Sequence, residues 1–188
     1  AARGPAVPPP AGRSGNSPTA ALVEEFAPPR DLSEQMGTFA LLPQIVAAVR
    51  CPVVAAGGIA DAAGVRAARA LGASAVQVGT AFLCADEANT SAAHRAALRS
   101  EAAKHTALTN LFSGGVARGI MNRTMRELGP LNPAVPPFPR GGSALVPLRT
   151  AAEARGSTAF TPLWSGQNAS ACLSAPAAQI VAALAAGL

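Results

Sequence analysis

The sequence predicts an α/β protein built around a parallel sheet, and three observations predict it. Two short runs of small and β-branched residues, Cys51-Pro-Val-Val-Ala-Ala56 and Ala75-Val-Gln-Val78, suit strands buried on both faces. Between them lies a helical pattern that sets Val65, Ala68 and Leu71 on one face. Each run closes on a glycine turn, Gly57-Gly58 and then Gly79-Thr80, so the order is that of a βαβ unit. With 188 residues, the chain falls short of the roughly 200 that a complete (β/α)8 barrel needs, so it supplies at most part of one.

Taken in order, residues 1–30 hold seven of the seventeen prolines and no periodic apolar pattern. They are expected to form a disordered Pro/Gly/Arg-rich arm, with residues 1 to 22 packed against nothing regular and order beginning between Leu32 and Phe39. Asp31-Leu-Ser-Glu34 can cap a short turn. Phe39 to Val49 reads as an amphipathic helix with Pro43 near its first turn. Asp61 is a good N-cap for a helix from Ala62 to Leu71, whose Arg66 and Arg69 point outward and whose C′ position is Gly72.

After the second glycine turn the pattern becomes helical with breaks. Ser91 to Lys104 is expected to be a helix exposing Arg95, Arg99, Glu101 and Lys104, while Thr106 to Phe112 fits helix and extended chain equally. Ser113-Gly114-Gly115 is a turn, and Ala117 to Leu128 is expected to be helical. Residues 129–146 are Pro/Gly-rich and expected to wrap a surface. Two more helices, Leu145 to Ala154 and Ala175 to Ala186, flank a loop containing Trp164-Ser-Gly-Gln167. The expected division is a 1–30 arm, a 31–112 unit of βα repeats and a 113–188 helical extension.

Composition excludes several classes of function. Hydrophobic residues are 49% of the chain and charged ones 13%, which rules out wholesale disorder. Fifteen basic residues against ten acidic ones give a net charge of +5. The arginines are scattered and aromatics make up only 4%, so the clustered charge and stacking rings of a nucleic-acid binder are missing. A phosphorylated cofactor is the better match for that charge. Cys51, Cys84 and Cys172 form no CxxC pair and read as small buried hydrophobes in a reducing compartment. No metal site is expected. No apolar run reaches the roughly 18 residues of a transmembrane helix, and Ala1 to Thr19 has no apolar signal-peptide core, so the expected location is cytoplasmic. The Asn-x-Ser/Thr matches at Asn89, Asn122 and Asn168 are therefore taken as accidental.

The glycine turns carry the chemistry. In α/β folds ligands gather at the carboxyl ends of parallel strands. Gly57 and Gly58 lack Cβ atoms where a phosphate needs close approach to backbone N–H groups. Gly79 and Thr80 offer further N–H groups and a hydroxyl. Twenty-one positions separate Gly58 from Gly79, the length of one α/β repeat, which sets both turns at the same end of neighbouring strands. Any left-handed turn also prefers glycine, and that reading suffices for either turn alone.

At these residues the sequence resembles the nitronate monooxygenases, formerly called 2-nitropropane dioxygenases. Pro52-Val-Val-Ala-Ala-Gly-Gly-Ile-Ala-Asp61 and Ala70-Leu-Gly-Ala-Ser-Ala-Val-Gln-Val-Gly-Thr-Ala-Phe-Leu83 are similar to that family's FMN-phosphate motif. Gln35-Met-Gly-Thr-Phe-Ala-Leu-Leu-Pro-Gln44, Phe112-Ser-Gly-Gly-Val-Ala-Arg-Gly-Ile-Met-Asn-Arg123 and Leu163-Trp-Ser-Gly-Gln167 agree in order, so the resemblance covers residues 26–188. It implies the carboxyl-terminal part of an FMN-binding TIM (β/α)8 barrel, its last two strands and helices, followed by a C-terminal helical extension. It also implies FMN held by Gly57, Gly58, Gln77, Val78, Gly79 and Thr80, with Gln167 near the flavin. The implied activity is FMN-dependent oxidation of alkyl nitronates by dioxygen, an oxidoreductase of small-molecule substrates.

The family's Gly-Gly-His loop, which carries its catalytic histidine, has no match in residues 1–30, so the chain is expected to be a fragment or truncated product. His94 and His105 lie among basic residues without a carboxylate partner and read as solvated surface residues, which leaves the catalytic base unknown. Asp86-Glu87 and Asp61 offer no paired carboxylates, and Arg118 and Arg123 read as exposed helix arginines. Two other readings stay open. One is a different FMN barrel oxidoreductase, enoyl-reductase-like; the other is a non-catalytic phosphate-binding fragment.

Overall fold

Three parallel strands in the order β1-β2-β3 carry the first part of the fold: β1 (Gly15–Asn16), β2 (Val54–Ala56) and β3 (Ala75–Gln77). The structure is a computed structural model and describes residues 15–16, 32 and 35–188. Between the strands run α1 (Thr38–Ala48) and α2 (Ala62–Ala70), and after them come α3 (Ala92–Leu98), β4 (Thr106–Thr109) and β5 (Ala117–Ile120). The chain ends with α4 (Arg123–Leu128), α5 (Val146–Glu153) and α6 (Ala177–Ala185).

The α/β class and the βαβ unit stand as read. Val65 and Ala68 of α2 are buried, and the Asp61 carboxylate accepts from the Gly64 N–H at 2.7 Å. Gly72 takes a left-handed conformation at φ 95° behind the helix, where a Cβ would collide with Val46. Leu42, Ile45 and Val46 of α1, with Val49 at its C-cap, form the inward stripe at helical spacing. These residues enclose Val53, Ala55 and Ile59 together with Ile180 and Leu184 of α6, which makes the larger core. Pro43 lies in the second turn of α1 rather than the first, where the missing N–H removes one helical bond.

Several expectations are corrected. Gly15–Asn16, inside the expected irregular arm, is a strand paired parallel with Ala55–Ala56. The pairing needs only backbone groups, so a two-residue rung forms without any β-branched run. The remainder of residues 1–30 lies outside the described residues. β3 is not buried on both faces: Ala75 and Gln77 are exposed, and Val54 beside them is 44% exposed. Ala55 and Val76, on the opposite side of the pleat, pack into the helices, so the described helices cover one face of this sheet. Cys51 is exposed, whereas Cys84 is buried and Cys172 half-buried.

The helix expected over Ala117–Leu128 begins only at Arg123. Ala117–Ile120 instead pairs antiparallel with β4, from Thr106↔Ile120 to Thr109↔Ala117, which resolves Thr106–Thr109 as strand. The hairpin straddles the expected boundary at residue 112. Gly119 suits the strand because Trp164 bridges to it and a Cβ there would come within 3.0 Å of the Leu163 carbonyl oxygen. Ile120, Leu163, Cys84, Leu98, Ala103 and Ala169 form the second core. The expected Ser91–Lys104 helix breaks after Leu98, and a short 3-10 turn follows at Glu101–Lys104. The Pro/Gly-rich stretch packs back on residues 110–114: the Asn110 amide donates to the Asn132 carbonyl at 2.9 Å, and a Cβ on Gly141 or Gly142 would collide with Gly114 or Phe112. Among the described residues, no helix is long and apolar enough to cross a membrane.

Candidate functional site

The register of β2 against β3 brings the two glycine turns together. Ala56 stands opposite Gln77, so the chain leaves both strands on the same row, at Gly57-Gly58 on one side and Val78-Gly79 on the other. Gly57 at φ 97° and Gly58 at φ 76° take two consecutive left-handed conformations, which only glycine adopts without strain. A Cβ on Gly58 or on Gly79 would meet no atom within 4 Å, so both backbones face open space. Behind Gly79 a 3-10 turn spans Thr80–Phe82, and its first N–H groups have no partner within the turn. Gln77 is exposed beside this row, and Val78 packs against the larger core. The six residues named from the sequence therefore gather at the carboxyl-terminal ends of β2 and β3.

Thr80 is gripped from a distant part of the chain. Its hydroxyl oxygen accepts from the Gly166 N–H at 2.8 Å, and its carbonyl accepts from the Cys172 thiol at 3.0 Å. Burial, with Cys84 nearby, pushes the Cys172 thiol up to about 11, so it stays protonated and able to donate. The backbone that carries Gly166 is itself fixed: Ile120 N–H donates to the Leu163 carbonyl at 2.8 Å, and Ser165 N–H donates to the Arg118 carbonyl at 3.1 Å. Phe112 meets the Trp164 ring edge-on, with ring centres 5.8 Å apart. Gln167 follows Gly166 immediately and is exposed.

His94 is not a solvated surface residue. It is half-buried on α3, and its Nε2 lies 3.0 Å from the Trp164 carbonyl oxygen, so this nitrogen carries the proton and donates. Burial lowers its pKa from the ordinary value, and the hydrogen bond to Trp164 opposes that only in part. His105 is exposed. Arg118 is a strand residue, half-buried, with one guanidinium nitrogen donating to the Thr106 carbonyl and hydroxyl at 3.3 Å. Desolvation lowers its pKa. Arg123 pairs with Glu127 at 2.7 Å on the exposed face of α4. Glu87 accepts from the Ala177 N–H at 2.8 Å and caps α6, so it has a structural task. Asn122 is only 5% exposed and caps α4, which removes it as a glycosylation site.

Sequence reading gave Gly166 and Cys172 no part in the site and expected Arg95 to be exposed, whereas Arg95 is half-buried. Arg95 donates to the carbonyls of Thr90, Ala85 and Ala88 at 3.1, 2.7 and 2.6 Å, closing the loop that follows the second glycine turn. The arrangement can hold an oxyanion on backbone N–H groups and one hydroxyl. Among the described residues, no three His, Cys, Asp or Glu side chains gather to hold a metal ion.

The nitronate monooxygenase family profile matches residues 27–187. A nitronate monooxygenase of Pseudomonas aeruginosa is 45% identical over 150 residues, covering 79% of this chain and 43% of that protein. A probable nitronate monooxygenase of Staphylococcus aureus is 40% identical over 156 residues, 83% of this chain and 44% of the relative. Among solved structures, nitroalkane oxidase from Streptomyces ansochromogenes superposes with a TM-score of 0.76 at 41% identity, covering 85% of this chain and 46% of the other. FabK from Thermotoga maritima gives 0.62 at 28% identity, over 80% of this chain and 48% of its own. The chain thus spans less than half the length of these relatives.

Proposed function

The chain belongs to the nitronate monooxygenase family, and on that premise we propose that it is the FMN-phosphate-binding part of an enzyme that oxidises alkyl nitronates with dioxygen. In this reading the sheet is part of a (β/α)8 barrel. Residues 31–112 supply βα units, residues 113–188 supply an extension, and the β4–β5 hairpin joins the two. The exposed face holding Val54, Ala75 and Gln77 is what the interior side of an unclosed barrel looks like.

One observation carries the assignment. Two glycine turns leave adjacent parallel strands on the same row, and both open onto space that a Cβ would occupy. A phosphate monoester fits such a cradle, because it is an acceptor-only dianion and the cradle supplies donors. Gly57, Gly58, Gly79 and Thr80 would hold the FMN phosphate, with Gln77 and Val78 lining the approach. The bound flavin supplies the redox chemistry, and the residues of this chain hold and orient it. His94 is not assigned as the base, since its Nε2 proton is committed to the Trp164 carbonyl.

The test is flavin binding. The chain should bind FMN, and Gly79→Val, which places a branched side chain in the cradle, should abolish it. Undiminished binding by Gly79→Val would overturn the assignment. A second reading, an enoyl-reductase-like enzyme with the same turns, draws on the likeness to FabK. It is separated by asking whether a nitronate or a reduced nicotinamide bleaches the flavin of the loaded protein.

A further inference from the structure

We propose that Gly166 is a positioning residue, whose N–H fixes the Thr80 hydroxyl oxygen so that its proton is free to be donated to a phosphate monoester. This rests on the reading that Thr80 lines the FMN-phosphate cradle. A threonine hydroxyl has one proton and can rotate it toward any acceptor. Here its oxygen already accepts from the Gly166 N–H at 2.8 Å, which holds that oxygen in place and leaves the O–H to donate elsewhere. A phosphate dianion offers only acceptors, so a hydroxyl ordered as a donor is the useful one.

The geometry explains why residue 166 is glycine. A Cβ at this position would stand 3.2 Å from Thr80 Oγ1, close enough to push the hydroxyl aside. The glycine's own backbone is held by elements that owe nothing to the turn. Leu163 and Ser165 are bonded to β5, and the Trp164 carbonyl accepts from His94 of α3. The Cys172 thiol steadies the Thr80 carbonyl from the same stretch of chain. The Trp-Ser-Gly sequence is thus a strut that runs from the second core to the cradle, and its end is one hydrogen bond.

A double-mutant cycle on FMN affinity tests this, with the full chain titrated by quenching of flavin fluorescence. Thr80→Ser should bind as the parent does, and Thr80→Val should bind about tenfold more weakly or worse, as expected for a lost hydrogen bond to a charged group. Gly166→Ala should weaken binding when Thr80 is present and add no further loss in the Thr80→Val background. Equal losses from Gly166→Ala in both backgrounds would mean that residue 166 acts only through general structure and would overturn the inference. A readout without substitution at 166 is the Gly166 amide resonance, which should move when FMN is added; bound FMN with an unmoved resonance also overturns it. Failure of the unaltered chain to bind any FMN would overturn the cofactor reading and this inference together.

Discussion

Replacing each of two glycines with alanine should separate backbone strain from loss of the cradle. Gly58 stands at φ 76° and Gly79 at φ −109°, and a Cβ on either would meet nothing within 4 Å. Collision therefore contributes to neither substitution. At Gly58 an alanine must adopt the left-handed region, which costs an L-residue about 1–2 kcal/mol. At Gly79 φ is negative, so an alanine meets no left-handed strain, and Gly79→Ala should change stability by no more than about 0.5 kcal/mol. For a chain of this length, 1 kcal/mol shifts Tm by about 2–4 °C, so Gly58→Ala should melt about 2–8 °C lower. Both variants put a methyl group where the proposed FMN phosphate would approach, so on that reading both should lose FMN affinity. Thermal denaturation followed by circular dichroism without ligand measures the first effect, and flavin fluorescence measures the second. The reasoning fails if Gly79→Ala loses as much stability as Gly58→Ala, or if Gly58→Ala melts with the parent.

Two further predictions concern the strut and its surroundings. His94 has a pKa below its ordinary 6.5, so the unfolded chain binds the proton first as pH falls. Stability should be level above that value and decline as pH drops below it toward the lowered pKa. His94→Gln keeps a donor for the Trp164 carbonyl and should flatten that decline when Tm is followed from about pH 8 to about pH 5; an equal slope in both proteins would count against it. Arg95→Met keeps the aliphatic stem but removes three hydrogen bonds to carbonyls, and should cost about 2–3 kcal/mol in urea denaturation. Arg95→Lys should recover only part of this, because an ammonium cannot reproduce the planar fork. Full recovery would show that charge alone matters.

The parts of the fold that were legible in the sequence are those whose signals are local. Asp61 lies three residues before the amide that it caps, and Gly72 directly follows the turn that it closes. The two glycine turns were readable because one α/β repeat separates them, and the observed register of Ala56 against Gln77 carries the same interval of twenty-one. The resemblance to nitronate monooxygenases rested on these same runs, and the family match over residues 27–187 agrees with it. None of this required knowing what lies across the molecule.

What escaped the sequence depends on contacts between distant residues. Ala117–Ile120 has a pattern acceptable to a helix, yet it is a strand because β4 and the Trp164 segment pair with it on either side. Arg95 and His94 sit at helical positions that look solvent-facing, and only tertiary packing presents them with carbonyl oxygens. Thr80 and Gly166 are 86 positions apart, and Thr80 and Cys172 are 92 apart. Backbone amides and carbonyls are the same in every residue, so the side-chain pattern does not encode which of them will meet. Sequence by itself determined that two glycine turns would stand side by side at the ends of neighbouring strands. Tertiary structure decided what holds the Thr80 hydroxyl beside the second turn, because that choice is made by hydrogen bonds that form only once the chain has folded.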